Sequence, residues 1–170
     1  MYQNKVILAL GTNIGSWKSN FNNCLIELSK IGLLEAIGNI YLSKPYGFNK
    51  QNNFYNTCVK IRTKFSPIQL FKKLELIEKK LFKKKLIKNG PRKIDIDIIF
   101  YNSIKFKTKK LTIPHKNLIF RDFVLLPLCD IDKFQIHPIE KKSIKKLNKE
   151  CVERYVYKKI IQSKGSFVIY

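Results

Sequence analysis

Apolar and polar positions follow two different rhythms along this chain, and the alternation of those rhythms predicts its elements. The apolar run KVILAL, Lys5 to Leu10, predicts a buried first strand, followed by a turn, GTNIGSWKS, that carries Gly11 and Gly15. From Trp17 to Ile31 the apolar residues Phe21, Cys24, Leu25, Leu28 and Ile31 recur at helical spacing, and Gly32 marks the stop. Leu33 to Tyr46 reads as a long second strand interrupted at Gly38, and PYGFNKQNN as a polar loop. FYNTCVKIRT, Phe54 to Thr63, alternates as a third strand. Ser66 and Pro67 have the N-cap and first-turn chemistry of a helix start, and Leu70, Phe71, Leu74, Ile77 and Leu81 follow at helical spacing.

Past that helix the pattern becomes less regular. KKKLIKNGP, Lys83 to Pro91, predicts a strongly positive loop; KIDIDIIFY then reads as a strand, with a turn at Asn102-Ser103 and a short strand from Ile104. An extended segment precedes a helix expected from about Phe120, which Pro127 should bend or end. A short helix is expected near Ser143 to Leu147, and Cys151 to Tyr170 carries only a helix-then-strand pattern. Strands and helices mix without regular βαβ alternation. The expected class is therefore α+β, a mainly antiparallel sheet covered by helices.

At 170 residues the chain suits a single domain, residues 1–170, and its 45% hydrophobic content excludes a disordered protein. No apolar run approaches the ~20 residues of a membrane span. The start, MYQNKVILALG, lacks the length and cleavage site of a signal peptide, so a cytoplasmic location is expected. Cys24, Cys58, Cys129 and Cys151 are scattered without metal-ligand spacing. They read as reduced, buried small residues rather than as redox or zinc chemistry.

The formal charge of +22 raises nucleic acid as a partner. Only four of the 34 basic residues are arginine, however: Arg62, Arg92, Arg121 and Arg154. Lysine, isoleucine and asparagine enrichment fits compositional drift in an AT-rich genome, with a polyanion site as the competing explanation. A basic RNA-binding module would need interleaved aromatics of the K/R-G-F/Y-G/A-F-V-x-F/Y kind, and no such stretch occurs.

Against this background GPRKIDIDII is conspicuous. Successive strand residues face opposite ways, so Asp95 and Asp97 should share one face, with Ile94, Ile96, Ile98 and Phe100 on the other. Two residues of strand place the carboxylates ~7 Å apart, a separation that bound Mg²⁺ ions and a polyphosphate can bridge. In isolation the D-I-D pattern is better explained by an ordinary sheet with one wet face. The neighbours favour chemistry. Arg92 precedes the pair behind a Gly90-Pro91 turn, and a guanidinium fork binds phosphate in a geometry lysine cannot copy. Of the two histidines, His115 in IPHKN lies six residues before Arg121 and reads either as a structural residue or as a donor to a phosphate oxygen; His137 is given no role. GTNIGSWKS fails the phosphate-loop spacing, since three residues separate its glycines and two more precede Lys18. Any nucleotide must be held by side chains and metal.

Taken together, LGTNIG (Leu10 to Gly15), YLSKPYG (Tyr41 to Gly47), FYN (Phe54 to Asn56), GPRKIDIDII (Gly90 to Ile99), LTIPH (Leu111 to His115) and RDFVLLPL (Arg121 to Leu128) resemble the 6-hydroxymethyl-7,8-dihydropterin pyrophosphokinase family of folate biosynthesis. The resemblance is strongest over residues 10–138 and leaves 151–170 as an extension of unknown role. It implies a ferredoxin-like α+β sandwich that transfers pyrophosphate from ATP to the pterin hydroxymethyl group, releasing AMP, with small molecules as its substrates; a monomer is the default expectation. On this resemblance Asp95 and Asp97 would hold two Mg²⁺ ions, with Asp97, Arg92 and Arg121 as the catalytic group. ATP would be contacted by Glu78, Lys83, Lys85, Arg92, Ile98, Lys110, Thr112, His115 and Arg121. Phe54 and Phe123 would stack on the pterin faces, Asn56 would bond its edge, and backbone around Ser43, Lys44 and Tyr46 would complete the site. Glu75 is either a further contact near ATP or part of a solvated helix face. Departures lie in the family's mobile lid: Phe82 replaces a common glycine, Lys83 and Lys85 stand where arginines are frequent, and Asn89 stands where some members have tryptophan. A member that keeps the fold without the activity is the remaining alternative.

Overall fold

The sheet is organised around one strand, β1 (Asn4–Thr12), which pairs antiparallel with β4 (Phe54–Thr63) on one side and β5 (Asp95–Tyr101) on the other. The computed structural model describes residues 3–82 and 90–162. Beyond β4 lie β3 (Ile40–Ser43) and then β8 (Val156–Ile160), while β2 (Leu33–Ile37) also pairs with β4. The order is β5-β1-β4-β3-β8, and every pairing is antiparallel. Read along the chain, β1, helix, β3, β4, helix, β5 is the strand order expected of the ferredoxin-like sandwich. A separate two-stranded ribbon joins β6 (Phe106–Lys107) to β7 (Thr112–Ile113).

Helix α1 (Trp17–Ser29) starts where the Ser16 hydroxyl accepts the Ser19 amide. Helix α2 (Pro67–Leu81) starts on a reciprocal capping box between Ser66 and Gln69, with Pro67 in its first turn. Both helices bury their apolar stripe on one sheet face. Phe21, Cys24, Leu25 and Leu28 from α1 and Leu70, Leu74 and Ile77 from α2 meet Val6, Leu8, Leu10, Val59, Ile61, Ile96 and Ile98. Full burial of each Leu, Ile or Phe contributes about 1.5–3 kcal/mol. The opposite face is covered by α3 (Asp122–Asp132) and α4 (Ile144–Glu150), over Ile7, Cys58, Ile99 and Phe100.

Five expectations change. The strand expected over Leu33 to Tyr46 is two strands, both laid against β4. They part near Gly38, where a Cβ would meet the Pro127 carbonyl oxygen at 2.7 Å, so only glycine lets α3 approach the sheet this closely. Pro127 neither ends α3 nor stands at its end; the helix runs on to Asp132. The first strand extends past Leu10 and takes Gly11 and Thr12 out of the expected turn. Phe100 does not share a face with Ile94, Ile96 and Ile98. A register shift between Ile7 and Leu8 leaves Ile99 unpaired and turns Phe100 onto the α3 side. Beyond α4 residues 151–155 have no regular secondary structure and the chain then forms β8, with no helix among the described residues there. The cysteines fit their expectation: all four are free, three are buried and Cys129 is half-buried.

Candidate functional site

On the α3 face of β1 the side chains taper from Ile7 to Ala9 to Gly11. Their neighbours across the β5 ladder are Phe100, Asp97 and Asp95 in that order, and Gly11 faces Asn56 across the β4 ladder. The loss of bulk opens a cleft of about 490 Å³ over the end of the sheet. Gly11 is its floor: a Cβ there would lie 3.6 Å from Asn56 Oδ1, 3.8 Å from Phe54 and 3.9 Å from Asp95. Arg92, Arg121 and Phe123 stand around the rim. A second cleft, about 570 Å³, is lined by Phe71, Ile96, Asp97, Ile98, Lys110, Thr112 and His115, with Lys109 and Lys116 at its edge. Asp95 lines the first cleft and Asp97 the second, so the acidic pair stands at the boundary between them.

The charges there are arranged before any ligand arrives. Arg92 Nη1 lies 2.5 Å from Asp95 Oδ1 and its Nε–H donates to the Gly90 carbonyl. Asn13 holds this arginine by two bonds: its Oδ1 accepts the Arg92 amide and its own amide donates to the Arg92 carbonyl. Arg121 Nη1 and His115 Nε2 each lie 3.8 Å from Asp97 Oδ2. The Arg121 guanidinium also lies 4.9 Å above the Tyr46 ring, and its buried Nε has no hydrogen-bond partner among the described residues. Burial raises the Asp95 carboxyl above the usual carboxylate range, and the Asp97 charge adds to it. Burial raises Asp97 too, against the pull of Arg121 and Arg92. On the other side of the strand, burial and then Asp95 push Glu78 up to about 7, while its Oε1 accepts the Ile96 amide at 2.7 Å. Burial, then Arg121, pushes His115 down to about 4. It is therefore neutral at pH 7. Its Nδ1 accepts the Asn117 amide, which leaves the proton on Nε2, facing Asp97.

Residues 7–133 match the family model of 7,8-dihydro-6-hydroxymethylpterin-pyrophosphokinase (HPPK). The chain belongs to this family. It is 39% identical over 145 residues to the 2-amino-4-hydroxy-6-hydroxymethyldihydropteridine pyrophosphokinase of Aquifex aeolicus, covering 85% of this chain and 91% of that one. Over 135 residues it is 42% identical to the folic acid synthesis protein FOL1 of Dictyostelium discoideum, covering 79% of this chain and 20% of that much longer one. The fold is also that of a Plasmodium falciparum HPPK-DHPS crystal structure, with a TM-score of 0.72 at 17% identity over 86% of this chain and 45% of the other.

Within this HPPK domain the first cleft brings together every residue expected around the pterin: Ser43, Lys44, Tyr46, Phe54, Asn56 and Phe123. Two of their polar groups are already engaged. The Asn56 amide nitrogen donates to Tyr41 O, Ser43 Oγ and Phe54 O, so its Oδ1 alone is left to accept. The Lys44 amide donates to the Tyr155 carbonyl and is not available to a ligand. The second cleft gathers Ile98, Lys110, Thr112 and His115, although the Ile98 side chain itself belongs to the α1/α2 core. Glu78 lines neither cleft. Lys83, Lys85 and Asn89 lie outside the described residues. Three contributors were not anticipated: Gly11 as the floor, Asn13 as the clamp on Arg92, and Tyr155 beside Tyr46 and Phe123. Gly11 gives a signal only once it is placed inside the strand and not in the turn, since a strand glycine marks close approach of a ligand or backbone.

The acidic pair suits a hard divalent cation. Among the described residues no group of three or more His, Cys, Asp or Glu side chains is placed to hold a metal. Two carboxylates at a cleft boundary are nevertheless the donor set magnesium uses when phosphate oxygens and water supply the rest of its shell.

Proposed function

We infer that the chain transfers the pyrophosphoryl group of ATP to the hydroxymethyl group of 6-hydroxymethyl-7,8-dihydropterin, giving AMP and the pterin diphosphate in folate biosynthesis. The observation that carries this reading is the placement of Asp95 and Asp97 in adjoining clefts of different character. One cleft is aromatic and offers Asn56 Oδ1 as an acceptor, which suits the N–H groups on a pterin edge with Phe54 and Phe123 against its faces. The other has Lys110, Lys116 and the His115 Nε2–H, which suits a triphosphate. Bound across both, the hydroxymethyl oxygen stands in line with the β-phosphorus. The new O–P bond forms as the bond from the β-phosphorus to the α-phosphate oxygen breaks, and AMP leaves.

In this reading Asp97 accepts the hydroxyl proton, from a position at the boundary of the two clefts beside Arg121 and His115. Arg92 and Arg121 are preorganised against the carboxylates and lie within reach of phosphate oxygens, where their forks neutralise developing charge. His115 donates as a neutral imidazole. Asp95 and Asp97 would hold two Mg²⁺ ions, which supply charge neutralisation along the triphosphate. Lys83, Lys85 and Glu78 remain candidates for the ATP side through the family resemblance. We further read residues 1–170 as one domain that acts as a monomer in the cytoplasm on small molecules, without nucleic acid. No helix among the described residues is long and apolar enough to cross a membrane.

The test is the identity of the nucleotide product. Protein incubated with Mg²⁺, ATP and the pterin alcohol is expected to release AMP. ADP would mark an ordinary kinase, and absence of turnover would mark a fold without the activity; either result overturns the reading.

A further inference from the structure

Arg121 and Phe123 both face the first cleft, yet Asp122 between them does not. Its side chain, 1% exposed, turns away from the cleft toward the C-terminal segment. Both carboxylate oxygens lie 3.1 Å from the Tyr155 amide, and Oδ2 also accepts the Val156 amide at 3.1 Å. The Tyr155 carbonyl in turn accepts the Lys44 amide at 3.0 Å, at the end of β3. Backbone 155–156 is thus fastened on one side to the first turn of α3 and on the other to the chain leading into Tyr46. From there the Tyr155 ring packs edge-on against both aromatic rings it reaches. It lies 5.5 Å from Tyr46 at 68° and 5.8 Å from Phe123 at 83°, and those two rings are 6.2 Å apart. The Tyr155 hydroxyl bonds Glu153, and Tyr155 does not line the cleft.

We propose that Tyr155, held by the Asp122 carboxylate at the entry to β8, is a positioning residue for the pterin face of the site. It fixes the rings of Tyr46 and Phe123 before substrate arrives. This inference rests on the reading that Phe123 stacks on the pterin. An unsupported Phe123 ring samples rotamers that must be frozen on binding, and the support removes that cost from the binding step. Edge-on ring pairs are the favoured aromatic geometry, and losing two of them predicts a change of about tenfold. The effect should fall on the pterin and spare ATP, because among the described residues the ring contacts of Tyr155 are with Tyr46 and Phe123, neither of which lines the second cleft.

Steady-state kinetics on the full chain separates the possibilities. Tyr155→Ala is expected to raise the KM for the pterin alcohol about tenfold, with the KM for ATP unchanged within about twofold. Tyr155→Phe should behave as wild type, because the ring edges carry the effect and the hydroxyl points elsewhere. Phe123→Ala is the reference. If it raises the pterin KM while Tyr155→Ala does not, the positioning role is wrong and the stacking reading stands. If Phe123→Ala leaves the pterin KM untouched, the stacking reading fails and takes this inference with it. A Tyr155→Ala variant that weakens both substrates equally, or a Tyr155→Phe variant as impaired as the alanine, also overturns the proposal.

Discussion

On β1, Val6, Leu8 and Leu10 point toward α1 and α2, whereas Ile7, Ala9 and Gly11 point toward α3 and the first cleft. β4 divides in the same way. Val59 and Ile61 enter the α1/α2 core, while the other face carries Phe54 and Asn56 at the cleft, Cys58 under α3, and Lys60 paired with Asp132. On β1 the first face keeps its bulk from Val6 through Leu8 to Leu10, all apolar and buried. The other gives up side-chain volume residue by residue and ends in a space floored by a glycine. Two half-buried carboxyls with raised pKa values flank that space. Both faces carry buried core, the larger on the first, and the proposed site lies at the open end of the second.

Substitutions on the two faces should therefore fail in different ways. The largest effect is expected from Leu8→Ala, a fully buried position, at about 2–5 kcal/mol of unfolding free energy by denaturant titration. The folded fraction should keep its affinity for both substrates; altered KM values would show that the faces are not separable. Next is Arg121→Lys, which keeps the charge but loses both the fork and the stacking on Tyr46. It should lower kcat/KM about 100-fold with little change in thermal midpoint. Gly11→Ala follows. A Cβ there meets only ordinary contact distances, so the protein should fold normally while the methyl group occupies the cleft floor and raises the pterin KM about tenfold. Circular dichroism and kinetics on one sample check both halves.

The smallest effect concerns pH and lies far from the cleft. His137 is buried, accepts the Ile139 and Glu140 amides at Nδ1 and packs edge-on against Phe100, and burial lowers its pKa. A lowered folded-state pKa contributes stability that is present above the unfolded value of ~6.5 and lost as pH falls below it. His115 acts in the same direction. Glu78, Asp95 and Asp97, with raised values, act in the opposite direction over the acidic range, so the His137 share is read as a difference: as pH drops from about 6.5, the midpoint of His137→Asn should gain on that of the wild type. An unchanged profile would show that His137 does not titrate with unfolding.

Much of this division is legible in the sequence. The alternation in FYNTCVKIRT gives β4 with the same limits as the structure, and Ser66-Pro67 marks the start of α2 because capping is local chemistry. The D-I-D spacing puts both aspartates on one face for the same reason. What escapes the sequence depends on contacts between distant segments. Phe100 changes face because a bulge against Ile7 adds a residue to β5, which no period-two pattern encodes. Pro127 sits inside a continuing helix because tertiary packing against Gly38 overrides its local preference. β8 is an edge strand with three exposed central residues, so it lacks the apolar rhythm that identifies β4. Tyr155 escapes with it, since its role runs through backbone bonds to Asp122 and Lys44.

The division of labour is tested most directly on Asp97→Asn, with turnover and thermal midpoint measured on the same preparation at pH 8. The carboxyl's raised pKa means the fold disfavours its charge, so stability falls as pH rises through that value, and asparagine mimics the protonated form. The side chain is 40% exposed, and solvent screening limits the gain. The account predicts AMP formation reduced at least about 10³-fold with a thermal midpoint at or above that of the wild type. Retained turnover, or a midpoint that falls with the activity, would contradict it.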